Sequence, residues 1–123
     1  MANPAFVTAA SQFGNSDTPY LSPQRISERL GVTLTELAKL AGVSRNTLTG
    51  KASARRVDAA LSPLVRILAS ASEMSGDERR AAIWFKHQPI PGWGGKTAQD
   101  LVRQGDAEKV LEHLEAVRSG VYA

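Results

Sequence analysis

The chain has 123 residues, about one domain's worth on a prior of ~100–200 residues per domain. Its 42% hydrophobic and 22% charged residues match an ordinary globular protein and exclude wholesale disorder. It contains no cysteine, which removes disulfides, thiolate metal sites, iron–sulfur clusters and cysteine nucleophiles together.

No run of ~18 apolar residues is present, so no membrane-spanning helix is expected. Met1 to Tyr20 lacks both the basic and the long apolar region of a secretory signal, and a cytoplasmic protein is expected. The same stretch mixes Asn, Pro, Ser, Gly and Thr with scattered Phe6, Val7 and Phe13 and keeps no period of 2 or 3.6. Residues 1–20 therefore read as a flexible N-terminal arm.

From residue 21 the punctuation is helical. Ser22-Pro23 places an N-cap before proline at the first helical position, and Gly31 closes that helix. Thr33 and Glu36 have the spacing of a capping box, opening a helix with Leu34, Leu37, Ala38 and Ala41 on one face and Gly42 at its end. Ser44 caps a short helix with Leu48 inward and Gly50 near its end. After a basic link, Val57, Leu61, Leu64, Leu68 and Ala71 keep a 4-3-4-3 spacing, with Pro63 expected in that helix's first turn. Ser75 and Glu78 predict a further capping box and a helix to about Lys86. His87 to Gly95 holds two prolines and three glycines, which predicts a flexible loop. Thr97 with Asp100 starts a short helix that Gly105 ends. Asp106 starts the last one, whose stripe is Ala107, Val110, Leu111, Leu114 and Val117, with Gly120 at its C-terminal cap. Nothing alternates like a strand. The predicted fold is all-α.

The positive charge is local. Residues 21–56 carry Arg25, Arg29, Lys39, Arg45, Lys51, Arg55 and Arg56 against Glu28 and Glu36, for +5 of a total of +3, with both flanking segments at −1. Such a block is either a solvated basic face or the footprint of an anionic polymer. The spacing favours the second. Ala38 supplies the small residue that two closely crossing helices need, and Gly42 a tight turn with φ > 0. Val43 and Leu48 supply apolar anchors, and Ser44 a cap. An ordinary helical hairpin would not require all five in register. Residues 21–56 resemble the Xre-type, lambda-repressor-like helix-turn-helix family. That resemblance implies a second helix in the major groove, with Ser44, Arg45, Asn46, Thr47 and Thr49 at or near base edges. Arg45 has the chemistry for guanine and Asn46 for adenine. Arg25, Lys51, Arg55 and Arg56 are the candidate phosphate contacts. So few contacts per chain imply a homodimer on a two-fold operator.

Residues 57–123 hold a Trp84-Phe85 helix, a Pro/Gly linker into Gly94-Gly95-Lys96-Thr97, two further helices, and Gly120-Val121-Tyr122-Ala123. Gly95-Lys96-Thr97 is not a phosphate loop, because Ile90 stands where the first glycine belongs and the prolines forbid the preceding strand. From about Leu61 onward this half resembles the toxin-binding domain of the Xre/MbcA/ParS antitoxins, with the ParS branch nearest. The resemblance implies a small helical domain with an extended C-terminal tail. It also implies a type II antitoxin whose partner is a RES-domain, NAD-using toxin, either NAD-degrading or ADP-ribosylating, with the tail entering the toxin's active site. Arg118, Gly120, Val121, Tyr122 and Ala123 would then contact the toxin, with Trp93 and Lys96 as further candidates. Val121 and Tyr122 are apolar anchors, and the terminal carboxylate suits a site built for NAD phosphates. A frayed terminus is the plain alternative.

No nucleophile–base–orienter set can be nominated, and His87 and His113 (read as loop and polar helix face) have no third ligand at a metal-site spacing. No enzyme, catalytic residue, metal or cofactor is expected. The competing reading is a stand-alone helix-turn-helix repressor whose C-terminal half only dimerises.

Overall fold

The computed structural model describes residues 21–120. The expectations for the arm 1–20 and for Val121, Tyr122 and Ala123 lie outside the described residues. Among those described, the chain forms seven α-helices and no strand. They are α1 (Pro23–Leu30), α2 (Leu34–Ala41), α3 (Arg45–Thr49), α4 (Ala54–Ser75), α5 (Glu78–His87), α6 (Ala98–Arg103) and α7 (Ala107–Arg118), with a single 3-10 turn, Lys51–Ser53, before α4. The all-α class expected from the sequence holds. None of these helices is long and apolar enough to cross a membrane.

Local chemistry sets most helix ends. Ser22 accepts from Arg25 N–H at the start of α1, and Pro23 follows where its missing N–H costs nothing. Thr33 accepts from Glu36 N–H, and Ser44 from Thr47 N–H. Thr97 and Asp100 make a complete reciprocal box at the start of α6. Gly42 ends α2 at φ +72, and the next residue's N–H, on Val43, reaches back to Ala38 O at 3.0 Å.

Three expectations are corrected. Pro63 is not in a first turn: α4 begins at Ala54, so Arg55 and Arg56 are helical and not a link, and Pro63 sits in the helix interior. The carbonyl that its ring leaves without a partner is that of exposed Ala59, where water can serve it. Ser75 does not cap α5, because it is the last residue of α4, which Gly76 ends. Asp77 is the cap, accepting from Arg79 N–H, and Ser75 Oγ donates to Asp77 O at 2.9 Å. The 87–95 segment is not a loose loop either. His87 still belongs to α5, and Ile90 is buried in the core. Ile90 N–H to Lys96 O (2.8 Å), Trp93 N–H to Ile90 O (3.3 Å) and Lys96 N–H to Trp93 O (3.2 Å) fold the segment on itself. Gly92, Gly94 and Gly95 supply the positive φ that this tight path needs.

The 22-residue α4 is the axis, about 32 Å long at 1.5 Å per residue. Helix α3 packs near its N-terminal end, and α5 and α7 pack along it. Packing also joins α1 to α5, α2 to α6, α5 to α6 and α6 to α7. One apolar cluster results, running from Ile26, Leu30 and Leu37 through Leu61, Val65 and Ile67 to Phe85, Ile90, Leu101 and Val110. Helix α4 and this core both continue without a break across residue 56, where the sequence pattern changes. Arg29 and Glu78, 2.9 Å apart, tie α1 to α5 at the surface.

Candidate functional site

At the N-terminal end of α4 the structure gathers the candidate DNA-contacting residues from Ser44 to Arg56 on consecutive elements. Buried Leu48 fastens α3 to the core, which leaves Arg45, Asn46 and Thr49 exposed and Thr47 half-buried. Ser44 Oγ accepts from Thr47 N–H and donates to Thr47 Oγ1 at 2.8 Å, so the Ser44 hydroxyl is committed to shaping the turn while Thr47 keeps its O–H donor. Thr49 Oγ1 donates to Arg45 O at 3.2 Å and keeps only its acceptor capacity. Arg45 and Asn46 are left with their full side-chain reach, as edge readers of bases need. Gly50 stops α3 after five residues with φ −78 and ψ 130. A Cβ at Gly50 would stand 3.1 Å from Asn46 O, so glycine lets the chain turn tightly under α3. Lys51, Arg55 and Arg56 follow at once, all exposed. Arg25 is exposed as the third residue of α1.

The other end of α4 holds the root of the C-terminal tail. Arg118 Nη2 donates to Ser70 Oγ at 3.0 Å and to Glu73 Oε2 at 3.3 Å, tying the last turn of α7 to the last turns of α4. Arg118 therefore has a structural use of its own, while its side chain stays 37% exposed. Gly120 N–H bonds Val117 O at 3.0 Å, and Gly120, at φ +82, turns the chain off the helix. Met74, on the same last turn of α4 as Glu73, is 40% exposed.

Trp93 and Lys96 lie elsewhere. Trp93 is half-buried and packs against the core. Lys96 Nζ donates to Gln104 Oε1 at 2.6 Å, and Gln104 Nε2 in turn donates to Asp106 Oδ2 at the start of α7. Arg118 closes the same 12-residue helix, so Lys96 and the tail root are about 18 Å apart along α7. The structure does not bring those candidates together.

Charge chemistry is modest. The backbone hydrogen bond from Thr97 holds the Asp100 carboxyl below its usual range, with Arg103 and Lys96 adding to it. Burial pushes the His113 imidazole down, so this residue is less solvated than a polar helix face implies. Among the described residues no group of three or more His, Asp or Glu could hold a metal ion. The sequence pattern did not single out the outward side of α5. Ile83 is 54% exposed there, next to Arg79 and Arg80. The available signal was an isoleucine out of phase with Ala81, Ala82 and Phe85.

Comparison with known proteins locates one of these two ends. Residues 70–120 match the family model of the antitoxin Xre/MbcA/ParS C-terminal toxin-binding domain. The matched segment begins inside α4, near its C-terminal end, and runs through α5, α6 and α7 to Gly120, the residue at the tail root. No curated protein and no solved structure matches the chain.

Proposed function

We propose that this chain, whose residues 70–120 form an Xre/MbcA/ParS-type toxin-binding domain, neutralises a RES-domain, NAD-using toxin and represses its own operon. The domain match supports an antitoxin role and implies a toxin partner. Beyond that, the reading is ours. Blocking is assigned to Val121, Tyr122 and Ala123, launched from Gly120 and aimed by the Arg118 tie to Ser70 and Glu73. The protein acts by binding and not by catalysis, and it works in the cytoplasm, where its operator lies.

DNA binding is assigned to the opposite end of α4. Support comes from exposed Arg45 and Asn46 on a capped helix after the Gly42 turn, followed by exposed Lys51, Arg55 and Arg56. Cations of this kind position a duplex through its phosphates, while base edges are read by the helix. A homodimer doubles the contacts on a two-fold site.

The single observation that carries the reading is the domain match ending at the residue from which the tail departs. Co-expression with a RES-domain protein encoded beside this gene tests it. Restored growth, co-purification and preserved cellular NAD are expected. Growth arrest with no complex formed would sink the toxin assignment. In that case retained operator binding would leave the stand-alone repressor.

A further inference from the structure

Two large apolar side chains are exposed among the described residues, Met74 at 40% and Ile83 at 54%, and both fall inside the toxin-binding segment 70–120. Met74 stands beside the tail root. Ile83 is not accounted for by the fold or by the tail. It points away from the face that buries Ala81, Ala82 and Phe85. At 100° per residue, Arg79, Arg80 and His87 fall within about 60° of Ile83 on the same outward side, and all three are exposed. Among the described residues none of the three takes part in a salt bridge. The ion pair made by α5 belongs to Glu78, with Arg29.

Ile83 also borders two hollows. One, about 680 Å³, opens between α5 and the end of α1 at Gly31, where Glu28, Asp77 and Glu78 face Arg29, Arg79 and Lys86. The other, about 270 Å³, is formed by Arg80, Trp84, His87 and Gln88. An aliphatic knob between two depressions, edged by tryptophan and arginine, has the composition of an interface hot spot.

We propose that the outward face of α5, with Ile83 as anchor and Arg79 and Arg80 as a cationic rim, is a second docking surface for the toxin, which meets it with an apolar pocket rimmed by acids. This rests on the reading of residues 70–120 as toxin-binding and adds a contact on the folded surface to the one made by the tail. The occupant follows from position: the whole of α5 lies inside the segment 70–120 that matches the toxin-binding family model. The face also begins at the same end of α4 as the tail root, because α5 starts three residues after α4 ends.

Calorimetric titration of the full chain against the co-expressed RES-domain protein, at two salt concentrations, tests the proposal. Ile83→Asp is expected to weaken binding about 30-fold or more, with an unchanged melting temperature by circular dichroism. Arg80→Glu is expected to weaken it about tenfold and to flatten its salt dependence. If Ile83→Asp lowers the melting temperature, Arg80→Glu alone decides. Wild-type binding with both variants within twofold of it overturns this surface and leaves the tail mechanism standing. Toxin affinity retained while Ile83→Asp changes the sedimentation of the free chain also overturns it, making the face a self-contact. No binding by the wild type removes the toxin assignment itself, and this inference with it.

Discussion

The two ends of α4 are built by different means. Around α3, conformation is set by neighbours in sequence: Ser44 with Thr47, Thr49 with Arg45, Gly42 with Ala38 and Lys39. Around the tail root it is set by residues far apart in the chain, as Arg118 reaches back to Ser70 and Glu73. The surface proposed for DNA is assembled by short-range rules, and the one proposed for the toxin draws on long-range packing. Yet the ends share one core, since α1 rests on α5 and α2 on α6. The structure therefore separates the two surfaces in space without separating them in stability.

The harshest test of that shared core is Phe85→Ala. Phe85 is fully buried, and truncating such a side chain costs about 3–5 kcal/mol. Both operator binding and toxin neutralisation are expected to fall together, with one cooperative transition in urea. Two separated transitions would show that the halves fold apart.

Next in size is Arg45→Ala, expected to cost ~1–3 kcal/mol at one base pair and to relax specificity there, while Arg55→Ala weakens all sequences alike and lowers the salt slope by ~1. Neither residue is in the core, so toxin inhibition is expected to persist in both variants. Operator titrations at fixed and varied salt check this. Unchanged affinity for Arg45→Ala would remove α3 from the groove.

Gly95→Val probes the toxin-binding half. Nothing lies within 4 Å of a Cβ at Gly95, so the burden is its φ of +85, which costs an L-residue ~1–2 kcal/mol. A lower melting temperature with weakened toxin binding is the expected result, and a pull-down series that ranks Gly95→Val equal to wild type would contradict it.

The smallest effect is in pH. His113 is held below the ordinary histidine value of about 6.5 by burial, so the unfolded chain takes up the proton first. Its contribution is complete above that value and is lost as pH falls through the folded one. Asp100, also depressed, loses its contribution at still lower pH, below the ordinary carboxylate value. His113→Gln is expected to flatten the stability profile just below pH 6.5. Asp100→Asn is expected to flatten only its acid limb.

What was legible in the sequence follows the same division. The caps at Ser22, Thr33, Ser44 and Thr97 and the glycine stops at Gly31 and Gly42 were readable because each works within a few residues. Ser75 misled because Asp77, two positions on, competes for the same helix start. Pro63 misled because proline was read as a boundary, whereas a long helix with enough buried apolar contacts keeps it. The order of the 87–97 segment depends on burial of Ile90, which has no local signature. The roles of Arg118 and Lys96 depend on partners 48 and 8 positions away, and the exposure of Ile83 on which face of α5 the core takes.

The end of α4 that carries the tail is proposed to block the toxin, and the other end to bind DNA. The direct measurement is toxin NAD consumption, with operator affinity measured in parallel, for a chain lacking residues 120–123. The expected result is loss of inhibition, at an unchanged melting temperature and unchanged operator affinity, with Tyr122→Ala reproducing part of the loss. Inhibition as strong as that of the full chain would contradict it.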